Sequence, residues 1–271
     1  MESPAGQKLA ELHGVLDVFP RVAVAVSGGV DSMTLAEAAH RRLGAHAMMF
    51  HAVSPAVPRD ATDRVLRLAG QSGWALEIVD AGEFSDPDYL RNPVNRCYFC
   101  KTNLYRTIAA RSEAIILSGA NLDDLDDFRP GLGAAQQAGV RHPFIEAGIG
   151  KSMIRSIARH MELSELADLP ASPCLSSRIE TGIDVTPAAL RMVEAIERLL
   201  AENLDSGPVR CRVRRDGLVI ELGDEALVDM QSARRSGLRQ RIDALGAAGG
   251  GGTATRYERY RMGSAFLRDE S

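Results

Sequence analysis

The sequence lacks a long hydrophobic run. Nothing in its 271 residues approaches the roughly 20 consecutive apolar positions of a membrane span, so no membrane association is expected. Met1-Glu2-Ser3-Pro4 does not begin a secretory signal, and the expected compartment is the cytoplasm. The chain also lacks an excess of positive charge. A formal charge of -4 argues against a protein whose main task is to grip a nucleic-acid backbone, so no nucleic-acid partner is expected. Cysteine is scarce: Cys97, Cys100, Cys174 and Cys211 are the only four. In a reducing compartment a C-x-x-C reads as metal, cluster or redox chemistry before it reads as a disulfide. The one tryptophan, Trp74, reads as core at a strand start, and there is no internal repeat. His40, His46 and His51 show no ligand spacing.

What is present is the composition of a soluble globular protein, 45% hydrophobic and 25% charged, with length for one domain and a smaller second. Residues 21–26 (RVAVAV) are a β-branched apolar run, expected to be a buried parallel strand. Helical spacing follows over 31–43. Further strands are expected at 45–53, 74–79, 113–118 and 142–145, with helices at 59–73 and 131–139. Strands alternating with helices predict an α/β fold, a parallel sheet covered on both faces, with ligands at the carboxyl ends of its strands. Long loops at 81–101, 119–130 and 169–185 hold three of the four cysteines. From Thr186-Pro187, an N-cap followed by proline at the first helical position, the pattern changes. A helix to about Asn203, a hairpin of 209–213 and 218–222, a helix over about 224–245, a glycine link at 249–252 and a strand at 253–260 predict a small α+β domain. The expected division is 1–185 and 186–271.

The most informative stretch is Ser27-Gly28-Gly29-Val30-Asp31-Ser32, between the first strand and its helix. Glycines at a strand-to-helix turn bring backbone N–H groups to the helix N-terminus, which is an anion site. Ser27 and Ser32 add hydroxyls. The turn is neither G-x-x-x-x-G-K-[ST] nor G-x-G-x-x-G. It resembles the PP-loop of the ATP pyrophosphatases, which hold the pyrophosphate of ATP while an acceptor oxygen attacks the α-phosphorus. A leaving pyrophosphate calls for backbone donors, a cation and Mg²⁺. Lys101, Lys151 and Arg129 are the candidate cations, with both lysines beside expected helix starts. Asp31, Asp123 and Asp124 are the candidate Mg²⁺ ligands, against the plainer reading of 123–127 as a solvated acidic turn. Ser54 ends the second strand where adenine would lie, or simply caps that strand.

Two further signatures are Arg96-Cys97-Tyr98-Phe99-Cys100-Lys101, preceded by Asn92-Pro93-Val94-Asn95, and Pro170-Ala171-Ser172-Pro173-Cys174-Leu175-Ser176-Ser177-Arg178. Gly119-Ala120-Asn121-Leu122-Asp123-Asp124 lies between them. Together with the glycine turn, the set resembles the LarE family of ATP-dependent sulfur transferases, which build the nickel-pincer nucleotide cofactor of lactate racemase. The resemblance covers nearly the whole chain, about 5–268. It implies a homo-oligomeric, ATP-using enzyme, for which Ser27, Gly28, Gly29, Asp31, Ser32, Ser54, Lys101, Gly119, Arg129 and Lys151 are the candidate ATP-binding residues. Its implied substrate is pyridinium-3,5-biscarboxylic acid mononucleotide. A ring carboxylate is adenylated, with Asp31 and Cys174 as catalytic residues, and oxygen is replaced by sulfur.

The resemblance also implies two sulfur sources. Members with only the cysteine matching Cys174 give up its sulfur; members with the C-x-x-C can hold a [4Fe–4S] cluster on three thiolates. Cys97, Cys100 and Cys174 are all present, and three thiolates leave one iron open. A zinc site of three cysteines and His142, or a Cys97–Cys100 redox pair beside an independent Cys174, are the alternatives. Arg210 and Arg212 are expected on one strand face, with Cys211 a packing thiol on the other. Two adjacent guanidiniums suit the substrate's phosphate, or form a solvated basic face. Arg178 reads as a contact to acidic substrate or AMP, or as an ordinary ion pair. A tRNA thiolase, an ammonia-using synthetase and a non-catalytic nucleotide-binding module are the competing functions. A tRNA thiolase is expected to show a basic surface and an added RNA-binding domain, neither of which is evident. A synthetase is expected with a glutaminase domain or partner and has no need of three cysteines. ATP-to-AMP turnover separates the non-catalytic module.

Overall fold

The computed structural model describes residues 3–126, 128–170, 173–205, 207–250, 255–261 and 263–265. Ala171 and Ser172 of the third signature, Asp127 of the acidic run, and positions 251–254 of the expected glycine link and last strand lie outside them. In chain order the elements are α1 (Pro4–Leu16), β1 (Val22–Ala25), α2 (Val30–Leu43), β2 (Ala47–Ala52), α3 (Arg59–Ser72), β3 (Ala75–Val79), α4 (Pro87–Leu90) and α5 (Arg96–Ala109). They continue with β4 (Ile115–Ser118), α6 (Pro130–Gln137), α7 (Pro143–Glu146), α8 (Lys151–His160), α9 (Ser164–Ala167), α10 (Pro187–Ala201), β5 (Val209–Arg214), β6 (Gly217–Leu222), α11 (Asp224–Gln231), α12 (Ser236–Ala248) and β7 (Thr255–Arg259).

Two compact units divide the chain. One is Met1–Glu83 with Cys97–Ser172; the other is Phe84–Arg96 with Pro173–Ser271. These differ from the segments 1–185 and 186–271: residues 84–96 and 173–185 group with the C-terminal elements.

The first unit is a four-stranded, all-parallel sheet in the order β3-β2-β1-β4. β1 is central and completely buried, which is why its sequence is continuously apolar. Its side chains alternate between two cores. Val22, Val24 and Val26 join α1, α2 and α8 on one face, while Ala23 and Ala25 join α5 and α6 on the other. This is the expected α/β architecture with helices on both faces. α1 starts at a Ser3 cap that accepts from Gly6 N, with Pro4 in the first turn.

Three expectations for the chain up to residue 151 need correction. Residues 142–145 are not a strand. Only Arg141 bridges to Leu117, and Pro143, which lacks an N–H, opens the short helix α7 instead. The stretch 81–101 is not one loop. Arg96 N donates to Pro93 O, α5 begins there, and Cys97, Cys100 and Lys101 lie on its first two turns. Lys101 is therefore inside a helix, whereas Lys151 does begin one.

The second unit holds a sheet in the order β5-β6-β7, antiparallel then parallel, against which α10 packs. Thr186 caps α10 by accepting from Ala189 N. Leu190, Val193, Ile196, Leu200, Leu218, Ile220 and Ile242 are fully buried. The single helix expected at 224–245 is two, because Ser232 is extended, with φ -69 and ψ 153, and Arg239 holds Ser232 O at 2.8 Å. The segment 84–96 is bound into this unit through Asn92. Its side-chain amide donates to Glu180 O at 2.8 Å and Ile183 O at 2.9 Å.

Candidate active site

In the first unit the chain turns from β1 toward β2 on one side and lies beside β4 on the other. The carboxyl ends of β1 and β4 therefore flank the point where strand order reverses, the place such sheets bind ligands. Both loops that emerge there are built around glycine. Gly28 has φ +81, and a Cβ on it would lie 2.7 Å from Ala61 O on α3. A Cβ on Gly119, just after β4, would lie 2.7 Å from Ser32 N. Glycine at 119 thus lets the β4 loop press against the first turn of α2.

Gly29 is the N-cap of α2, and the amides of its first turn have no intrahelical acceptor. The Ser27 and Ser32 hydroxyls are 3.0 Å apart, and Ser32 Oγ also accepts from Ser27 N at 3.0 Å. The pair closes the turn and lines it with hydroxyls. Ser54 Oγ accepts from Ala56 N at 3.2 Å, which shapes the turn after β2.

Around this turn gather the charged groups. Of only three lysines in the chain, Lys8, Lys101 and Lys151, the last ion-pairs with Asp31 on α2. Asp31 Oδ2 takes Lys151, while Oδ1 is buried with no hydrogen-bond partner among the described residues. A buried carboxylate oxygen left open in this way suits a cation, so the donor set fits Mg²⁺. Burial is the main cause that lifts Asp31 above the ordinary carboxylate range; Lys151 opposes it and nearby Asp124 adds to it. Asp123 and Asp124 are partly committed to the loop. Asp123 Oδ1 accepts from Lys151 N at 3.3 Å, and Asp124 accepts from Asn121 N at 3.1 Å and pairs with Arg129 at 3.0 Å. His142 Nδ1 meets Ser118 Oγ at 2.8 Å, and burial lowers its pKa.

The sign of the Asp31 shift makes a prediction. A carboxyl titrating above its unfolded value favours folding fully below the unfolded pKa, about 3.9, and loses that contribution as pH rises through the folded value. Asp31→Asn should therefore raise the ligand-free melting temperature at pH 8. The gain scales at roughly 2–4 °C per kcal/mol and should vanish as pH falls toward about 4. Melting curves at several pH values test this; a gap that stays constant from pH 8 to 4 would refute it.

The thiols divide between the units. No disulfide joins any of the four cysteines. Cys97 and Cys100 are three residues apart on α5 and so share one side of it, near its positive end. Cys174, in the second unit, is exposed. Among the described residues no three His, Cys, Asp or Glu side chains are gathered as a metal site. Cys211 is fully buried and burial drives its thiol pKa far up, which agrees with a packing role.

The turn carrying Cys174 is braced from below. Ser177 Oγ donates to Cys174 O at 2.7 Å, and Arg178 Nη1 donates to Pro173 O at 3.0 Å. Arg178 is 3% exposed and forms a two-pronged pair with Glu197 at 2.9 and 3.0 Å. Arg212, also 3% exposed, pairs with Glu221 and donates to Ser177 O, each at 3.0 Å. Arg178 and Arg212 thus serve the Cys174 turn whatever else they touch. Arg210 is only half-buried and lies 5.8 Å from the Tyr260 ring centre. The sequence reading gave no role to Tyr89, Asn92, Glu197 or Arg64. Tyr89 Oη meets Ser176 Oγ at 2.6 Å, and Arg64 holds Gly28 O. The one hint was that Asn92 opens the second signature.

No family model matches the chain. An uncharacterised protein of Synechocystis sp. is 37% identical over 225 residues, 82% of either chain. An uncharacterised protein of Methanocaldococcus jannaschii is 25% identical over 209 residues, 76% of this chain and 79% of its own. The pyridinium-3,5-bisthiocarboxylic acid mononucleotide synthase of Lactiplantibacillus plantarum is 30% identical over 227 residues, again 82% of either chain. With that identity sustained over most of both sequences, the chain belongs to the LarE family of this synthase.

Proposed function

We propose that the protein is an ATP-dependent sulfur transferase acting on pyridinium-3,5-biscarboxylic acid mononucleotide. The observation that carries the reading is the glycine turn at the sheet's switch point, with Lys151 and Asp31 at its mouth, in a chain related to a synthase of the corresponding bisthiocarboxylate. A ring carboxylate oxygen attacks the α-phosphorus of ATP, and pyrophosphate leaves with the bonding pair. Its charge is received by the amides of the α2 N-terminus, the Ser27 and Ser32 hydroxyls, and Lys151, with Lys101 and Arg129 as further cations. Mg²⁺ held by Asp31, with Asp123 and Asp124 nearby, would neutralise phosphate charge. A sulfur nucleophile then attacks the acyl carbon, and AMP departs with the former carboxylate oxygen. Arg210 and Arg212 are the proposed contacts of the substrate's phosphate, Arg212 while keeping its pair with Glu221. The assembly is proposed to be homo-oligomeric. Among the described residues no helix is long and apolar enough to cross a membrane.

For the sulfur source, three thiolates are the ligand class of a [4Fe–4S] cluster. Cys97, Cys100 and Cys174 would hold it, and its open iron would supply an exchangeable sulfide. The exposure of Cys174 favours a second reading, in which its own sulfur is given up. Iron and acid-labile sulfide are to be measured on protein prepared without oxygen. About four of each per chain is expected, falling on Cys97→Ser. Iron-free protein that still converts one equivalent of substrate would establish the second reading instead.

A further inference from the structure

The glycine turn is held from outside by α3. Arg64 Nη1 donates to Gly28 O at 2.6 Å, and Ala61, one turn earlier, fills the space a Gly28 side chain would need. The Gly28–Gly29 peptide is trans, so its C=O and N–H point in opposite directions. With the oxygen fastened to α3, the Gly29 N–H is aimed away from α3. Gly29 in turn caps α2, and its carbonyl accepts from Met33 N at 3.1 Å, so the residue is fixed on both sides. A glycine pair free of such a hold could flip this peptide at little cost and present a carbonyl oxygen to an anion. Two charged neighbours stand on the same helix: Asp60 favours the guanidinium charge and Arg67 opposes it.

We propose that Arg64 is a positioning residue: by holding Gly28 O it locks the turn with the Gly29 N–H toward the anion, and it acts on phosphate only through that peptide. The inference rests on reading the turn as a pyrophosphate site. The test is calorimetric titration of the full-length protein with magnesium pyrophosphate over a range of NaCl concentrations. Arg64→Met keeps the stem and removes the donors; Arg64→Gln keeps a neutral donor and serves if the Met variant does not fold. Loss of one hydrogen bond from a charged donor predicts a Kd about tenfold weaker for Met, with Gln between it and the native protein. The slope of log Kd against log salt should stay unchanged in both. Unchanged affinity, or a slope reduced as for one lost charge contact, would overturn the inference. Failure of the native protein to bind pyrophosphate would instead overturn the functional reading on which it stands.

Discussion

Cys174→Ala should abolish thiocarboxylate formation, by about 10³-fold or more, while leaving substrate-dependent ATP–pyrophosphate exchange intact. The expectation follows from the division of labour in the chain. The glycine turn, Asp31 and Lys151 belong to the first unit, and Cys174 belongs to the second. Adenylation needs an anion site and an attacking carboxylate oxygen; it needs no thiol. Sulfur delivery needs Cys174 whether the thiolate is a cluster ligand or the donor itself. Exchange isolates the first half-reaction, and mass spectrometry of the product isolates the second. A variant that loses both equally would show that the thiol supports adenylation and would break the proposed sequence of steps. Cys97→Ser then separates the two sulfur sources. On the cluster reading it loses product as completely as Cys174→Ala does, whereas on the sacrificial reading it retains a single turnover.

How far the sequence leads is set by what kind of partner each residue has. β1 was legible because burial on both faces demands an unbroken apolar run, and the turn after it because two glycines and two serines are themselves the anion site. α5 was not legible as a helix from its start. Its first turns carry Cys97, Cys100, Lys101 and Asn103, and its apolar stripe, Leu104, Tyr105 and Ile108, appears only later. His142 reads as part of a strand because Val140 and Ile145 flank it, yet Pro143 decides the geometry. Arg178 and Arg212 illustrate a different gap. Their type suggests phosphate, but Glu197 lies 19 residues from Arg178 with no local spacing to join them, and Glu221 meets Arg212 diagonally across the hairpin, where only the register decides the partner. Arg64 is harder still, because its partner is a backbone carbonyl 36 residues distant. Residue type announces chemistry, while long-range hydrogen bonds decide which groups remain available for it.

Gly28→Ala should weaken ATP and pyrophosphate binding by about 10²-fold or more, comparable to removal of a preorganised anion donor. The backbone at Gly28 has φ +81, where alanine costs roughly 1–2 kcal/mol. The new methyl would also lie 2.7 Å from Ala61 O and 2.9 Å from Ala61 Cβ. Those atoms belong to α3, whose Val65 and Ala69 are buried in the core, so the helix cannot yield easily and the turn must move. Moving it breaks the Arg64 contact and turns the Gly29 amide out of line. Gly29→Ala is the informative contrast. Its φ is -85, which alanine adopts without strain, and the nearest atom to its Cβ is Ser27 Oγ at an ordinary 3.7 Å. Gly29→Ala should therefore leave the ligand-free melting temperature unchanged, and whatever affinity it loses measures how closely the phosphate approaches the backbone there. Gly28→Ala should lower both the melting temperature and the affinity. If Gly28→Ala bound pyrophosphate as the native protein does, the turn would not be the anion site, and the case for adenylation at this end of the sheet would fall with it.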